Sequence, residues 1–236
     1  MVFLDNCVDT AMNVSLSSAR TIFSLEGEDI GYAGTIALQN VTLSIDEGEK
    51  IALIGQSGAG KTTLLRRLYR CETDNCAFIH QHYGLVPQLT VFHNIYMGRI
   101  DAFSAMHNLR NLISPMSLHV DEIAPIAGRL GLEKQLFKKV GALSGGQQQR
   151  VGIGRALYRG SSVLMADEPV SSLDTVQGED ILSFITNTDK TVISSLHSIE
   201  LARKYFDRLI GLRNRSISFD LPAENVSSDM LNRLYN

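Results

Sequence analysis

Residues 50–63 read Lys50-Ile51-Ala52-Leu53-Ile54-Gly55-Gln56-Ser57-Gly58-Ala59-Gly60-Lys61-Thr62-Thr63. The run from Ile51 to Ile54 is apolar without alternation, the pattern of a strand buried on both faces. The run stops at Gly55, and from Lys61 to Tyr69 the apolar Leu64, Leu65 and Leu68 recur at helical spacing. Strand, glycine-rich loop and helix are therefore expected in that order, the context that GxxxxGK(S/T) requires. Glycines let the backbone wrap closely around anionic oxygens, and the loop amides and helix N-terminus supply donors to them. Lys61 brings a point charge to β- and γ-phosphates, and the Thr62 hydroxyl suits Mg²⁺. The expected phosphate-binding set is Gly55, Gln56, Ser57, Gly58, Ala59, Gly60, Lys61, Thr62 and Thr63.

Working outward, residues 21–25 and 38–45 read as strands, the second alternating as Leu38, Val41 after one slip, Leu43 and Ile45. They predict an antiparallel opening, closed by the turn Glu47-Gly48-Glu49. Further buried strands are expected at 162–166, 191–196 and 208–212, with helical stretches between them. Buried strands alternating with helices predict a mainly parallel sheet covered on both faces, an α/β fold. Residues 101–139, rich in helix formers and holding Pro115 and Pro125, read as a helical insertion. The organisation expected is an N-terminal extension at 1–20 and one domain at 21–236, with its helical insertion at about 100–150.

With 44% hydrophobic and 20% charged residues the composition excludes a disordered or fibrous chain. Twenty-two basic against 25 acidic residues give a net charge of −3, so nothing drives nonspecific binding to nucleic acid, and no such partner is expected. No run of 18 apolar residues offers a membrane span, and Met1-Val2-Phe3-Leu4-Asp5-Asn6 does not read as a secretory leader, so a cytosolic location is expected. Cys7, Cys71 and Cys76 fit reduced thiols better than a disulfide framework.

Two further stretches carry chemistry. Val163-Leu164-Met165-Ala166-Asp167-Glu168 places two carboxylates at the C-terminal end of a buried strand, where open α/β sheets bind ligands. Asp167 suits the Mg²⁺ shell and Glu168 the general base that polarises an attacking water. Leu143-Ser144-Gly145-Gly146-Gln147 opens a helix with a serine and two glycine amides, a second anion-binding terminus.

With LSGGQ lying between the phosphate loop and the acidic strand, the sequence resembles the nucleotide-binding subunits of ABC transporters, over roughly residues 21–236. The resemblance implies a P-loop NTPase with a RecA-like, mainly parallel core sheet, a small antiparallel β portion and the helical insertion carrying the signature. By that likeness Gln81, followed by Leu85, Pro87, Thr90-Val91 and Asn94, is the hinge glutamine reaching Mg²⁺ and γ-phosphate. His197 matches the switch histidine, and Ser171-Ser172-Leu173-Asp174 the loop that crosses to the opposite subunit. Tyr32 matches the aromatic residue stacking on adenine. Ser144, Gly145, Gly146 and Gln147 would close over nucleotide held by the other copy. ATP and Mg²⁺ are the implied cofactors. The implied partners are a second ATP-binding subunit of the same kind, transmembrane permease subunits and, through them, a solute-binding protein. The implied place is the cytoplasmic face of the inner membrane, as a peripheral subunit. The stretches Asn94-Ile95-Tyr96-Met97-Gly98-Arg99 and Gln147-Gln148-Gln149-Arg150-Val151 are most similar to phosphonate-importer ATPases, which implies an organophosphorus cargo.

Two departures from that family stand out. Lys61 and Gln81 are only 20 positions apart, too few for the hairpin arm that usually flanks the nucleotide, so a truncated arm is expected. The same interval holds Cys71, Cys76, His80 and His82, whose spacing is not a standard zinc pattern; scattered thiols and histidines are expected. Gly152 and Gly154 stand in the signature helix where alanines are usual, each expected to cost about 1 kcal/mol of helix propensity. The rival reading is a soluble ABC protein acting as an ATP-driven switch in DNA repair or translation. That class joins two cassettes or inserts long coiled coils, and this chain has one cassette and no heptad run. A small-molecule P-loop kinase would leave LSGGQ unexplained.

Overall fold

The computed structural model describes residues 20–32, 34–71, 75–80 and 83–235. The expectations for Cys7, Gln81 and His82, and for residues 1–19 of the extension, lie outside the described residues.

Strands β1 (Thr21–Tyr32) and β2 (Thr35–Asp46) pair antiparallel as a two-stranded sheet, running further than residues 21–25 and 38–45. The slip between Leu38 and Val41 is a β-bulge: two steps on β1, from Glu28 to Ile30, face three on β2, from Val41 to Leu38. Asn40 absorbs the extra residue at φ +50°, a conformation asparagine tolerates better than most residues. The bulge keeps Leu38 and Val41 both facing inward and buried.

β3 (Lys50–Ile54) leads through the glycine loop to α1 (Lys61–Cys71) and on to β4 (Cys76–Ile79). Only four residues separate α1 from β4, too few for a hairpin arm. Then come α2 (Val91–Tyr96), α3 (Ala105–Ile113), α4 (Ser117–Arg129) and the signature helix α5 (Gly145–Arg159). Pro125 lies inside α4. The chain continues with β5 (Val163–Asp167), α6 (Thr175–Thr186), β6 (Thr191–Ser195), α7 (Ile199–Tyr205), β7 (Arg208–Arg213), β8 (Ser216–Pro222) and α8 (Ser228–Tyr235).

The main sheet has the order β4-β5-β6-β3-β7-β8, parallel except for β8, which returns antiparallel to β7 at the edge. Its central strands need apolar residues on both sides because both faces are covered. Ile51 and Leu53 of β3 face α1 and the β1–β2 sheet, in a core with Leu64, Leu65, Leu68, Met165 and Ile193. Ala52 and Ile54 face the other way, into a core with Val151 and Ile153 of α5, Leu164 and Val192. Each fully buried Leu or Ile of these layers is worth about 1.5–3 kcal/mol relative to exposure. The order also sets β5, β6 and β3 side by side and parallel, so the residues following all three gather at one edge.

Candidate active site

Gly55 leaves β3, and the loop turns through Gly58 at φ +81° and Gly60 at φ +103° into α1. A Cβ on Gly60 would lie 2.7 Å from Leu38 Cδ2, so the loop runs pressed beneath β2 where no side chain fits. The first amides of an α-helix have no intrahelical partner, which leaves those of α1 free to meet an anion at the loop. Lys61 is 5% exposed, and its Nζ donates to the carbonyls of Gly55 (2.7 Å) and Gln56 (3.0 Å). Burial draws the lysine below its ordinary pKa, against the pull of Glu168 and Asp167.

Asp167 ends β5 opposite Ser195 of β6. Its Oδ1 accepts from Ser195 Oγ at 2.7 Å and from Thr62 Oγ1 at 3.1 Å, so the two residues expected to hold Mg²⁺ touch. The next residue, Glu168, has φ +54°, a left-handed conformation costly for a non-glycine residue. Its surroundings hold it there. The Glu168 N–H donates to Ser195 Oγ (3.0 Å), and its carbonyl accepts from Gln149 Nε2 (3.2 Å) and Ser171 Oγ (3.1 Å). The carboxylate thereby points to His197, just past β6, with Nε2 to Oε1 at 2.6 Å. The His197 side chain is half open to solvent and that of Glu168 largely covered.

Ser144 caps α5, accepting from Gln147 N–H, while the Gln147 side chain accepts from Ser144 N–H; this capping box leaves the helix start solvent-facing. A Cβ on Gly146 would lie 3.0 Å from Leu173 Cδ2, so the signature abuts residues 172–173. One turn further, the fully buried Gln149 accepts Ser172 N–H at 3.2 Å while donating to Glu168. Asp174 caps α6 through Gln177 N–H at 2.9 Å.

Tyr32, 70% exposed at the end of β1, borders a cleft of about 150 Å³ shared with Thr63, Arg66 and Arg70. Cys76 is buried at the start of β4, Cys71 is exposed at the end of α1, and His80 stacks on Phe78. Among the described residues no group of three or more His, Cys, Asp and Glu is gathered as a metal would need.

Gly152 and Gly154 lie where α5 packs closely on its neighbours. A Cβ on Gly152 would lie 3.3 Å from that of Tyr83, and one on Gly154 3.0 Å from Ile95 Cδ1 and 3.1 Å from Leu130 Cδ1. The glycines let α5 approach its neighbours closely.

Ser195 and Gln149 escaped the sequence reading. Their signals are faint: hydroxyls ending an otherwise apolar strand, and an amide at a position of α5 that faces inward.

A family profile described as ABC transporter matches residues 38–76 and 69–171. The phosphonates import ATP-binding protein of Pseudomonas putida is 34% identical over 249 residues, covering 93% of this chain and 92% of its own. That of Pseudomonas syringae pv. tomato is 37% identical over 231 residues, covering 86% of each. Among solved structures, a dimeric bacterial ABC transporter cassette superposes with a TM-score of 0.73 at 26% identity, over 86% of this chain and 99% of that one. A dimeric cassette in a post-hydrolysis state with ADP and Pi gives 0.64 at 27% identity, over 88% and 97%.

Proposed function

The chain belongs to the ABC transporter family, and on that footing we propose how its residues serve as the ATP-hydrolysing subunit of an importer for phosphonate-like compounds. The observation that carries the reading is the meeting of Thr62, Asp167, Glu168 and His197 at the edge where β3, β5 and β6 end. Residues 21–236 act as one cassette, with the helical insertion at about 100–150 and residues 1–20 as an extension. The loop 55–63 wraps the phosphates of ATP, with Lys61 against the β- and γ-groups, and Tyr32 offers its exposed ring to adenine. Thr62 and Asp167 are hard oxygen donors already in contact and fit Mg²⁺; Gln81 joins them by resemblance. Mg²⁺, when bound, offsets charge on the β- and γ-oxygens. Glu168 takes the proton of the attacking water, and His197 orients that carboxylate and faces the γ-phosphate. Ser144, Gly145, Gly146 and Gln147, with Asp174 nearby, meet the nucleotide of a second copy.

A permease is the fitting membrane partner. No helix among the described residues is long and apolar enough to cross a membrane. Helix α3 instead shows solvent an apolar stripe of Met106, Leu109 and Ile113 at i, i+3 and i+7, flanked by Leu112 and by Leu118 of α4. Patches of this kind mark interaction surfaces. It suits a helix of the permease at the cytoplasmic face of the inner membrane, where a solute-binding protein delivers cargo from the other side.

The test joins turnover to transport. Purified chain should hydrolyse ATP, with Lys61→Ala lowering turnover about a hundredfold or more while circular dichroism keeps its shape. Cells relying on this subunit should take up a labelled alkylphosphonate, and Glu168→Gln should stop the uptake. Unchanged turnover in Lys61→Ala would sink the site; cells with the wild-type chain that take up no alkylphosphonate would sink the cargo assignment, and uptake that persists with Glu168→Gln would sink the role given to Glu168.

A further inference from the structure

The end of an α-helix leaves carbonyls without intrahelical partners. At the end of α8 two are satisfied from outside: Arg213 donates to the Arg233 carbonyl, and the Gln56 side chain donates to the Tyr235 carbonyl at 2.6 Å. Gln56 belongs to the phosphate loop. The Tyr235 hydroxyl reaches one residue further back and accepts the Gly55 N–H at 3.2 Å. Leu231 and Leu234 bury the apolar side of α8, which seats the helix against the body of the domain. Burial also raises the phenol above the usual tyrosine range, so its oxygen meets Gly55 as a neutral hydroxyl.

Gly55 and Gln56 are the two residues whose carbonyls hold the Lys61 ammonium, at 2.7 and 3.0 Å. The far side of Gly55 is blocked as well, since a Cβ there would lie 2.4 Å from the Leu212 carbonyl at the end of β7. The peptides that seat Lys61 are thus clamped between β7 and Tyr235, 180 residues away in sequence from Gly55.

We propose that Tyr235 is a positioning residue for the phosphate loop, acting through Gly55 and Gln56 to set where Lys61 presents its charge to the β- and γ-phosphates. This rests on the ATPase reading above. A lysine whose two carbonyl seats shift keeps its charge but loses its aim, and the loss falls on ligands that carry those phosphates.

The test uses the full chain with Tyr235→Phe, which removes only the hydroxyl, and Tyr235→Ala, which removes the ring. Affinities for ATP and for AMP, which lacks the β- and γ-phosphates, are measured beside kcat, KM and the melting temperature. Tyr235→Phe should weaken ATP binding and lower kcat/KM by about threefold to tenfold, the range of one lost hydrogen bond, with AMP affinity unchanged and the melting temperature lowered by only a few degrees, about what one unpaired N–H costs. Tyr235→Ala should go further in the same direction. Equal losses for ATP and AMP, or no loss in Tyr235→Phe, overturn the proposal. A wild-type chain that binds no ATP overturns the ATPase reading and this inference together, whereas an active wild type matched by Tyr235→Phe overturns this inference alone.

Discussion

Ser195 shows how one buried hydroxyl sets two carboxylates. Its proton goes to Asp167 Oδ1, and its lone pair accepts the N–H of Glu168, so it fixes both the proposed metal ligand and the left-handed backbone of the proposed base. Ser195→Ala leaves a buried N–H unpaired, at a stability cost of about 1–3 kcal/mol. Glu168, freed from its φ of +54°, should swing away from His197. Turnover should fall about tenfold or more while ATP affinity changes less, because Lys61 and its two carbonyl seats are untouched. Stopped ATPase assays beside equilibrium binding decide this; a fall in ATP affinity matching that in turnover would show Ser195 to be only a structural support. The phosphate loop, Asp167, Glu168 and the signature could be read from the sequence because each is a contiguous motif with its chemistry written side by side. Ser195 and Gln149 could not, because their roles arise only when β6 pairs with β5 and when α5 packs against the loop after β5.

At the scale of elements the same contrast between local and distant partners holds. The central strands announced themselves as apolar runs, and α1 by its leucine spacing. β4 was missed because Cys76-Ala77-Phe78-Ile79 is four residues long and mixes small with large side chains. β8 was missed although it alternates at Ile217, Phe219 and Leu221, because it is a short edge strand whose apolar residues are only partly covered apart from Phe219 and whose pairing slips at Ser218. Glycines separate the two kinds of helix position. Gly128 lies exposed near the end of α4 with nothing within 4 Å of an added Cβ, so Gly128→Ala should gain helix propensity and stabilise by about 0.5–1 kcal/mol. Gly98 packs against α5, and an added Cβ would lie 2.2 Å from the Arg155 carbonyl, a backbone atom that cannot turn aside. Gly98→Ala should therefore destabilise by about 1–3 kcal/mol. Denaturant unfolding of the two variants checks the pair, and equal shifts would show that close approach of α5 does not govern stability here.

For the whole molecule, the arrangement of anion sites argues for two copies. The amides that open α5 face solvent beside residues 172–173, and the side chains of Ser144 and Gln147 each accept the other's backbone N–H, which closes the cap on itself. On the proposed reading, this second anion site would gain a ligand by closing over ATP held by the loop of another copy. A two-fold, head-to-tail pair would sandwich two nucleotides and satisfy both sites at once. The solved cassette that superposes at 26% identity is itself dimeric. Glu168→Gln keeps the size and hydrogen bonding of the side chain while removing the base, so ATP should bind and persist. Without nucleotide this variant should scatter light as a monomer, and with saturating ATP and Mg²⁺ as a dimer. Adding Ser144→Arg, which sets a bulky cation at the start of α5 while leaving Lys61 and its loop intact, should return it to a monomer that still binds ATP. Because pairing follows mass action, the measurement runs up to about 100 μM protein. A Glu168→Gln chain that stays monomeric there with ATP bound, or one whose dimer ignores Ser144→Arg, would leave the signature helix without its proposed ligand.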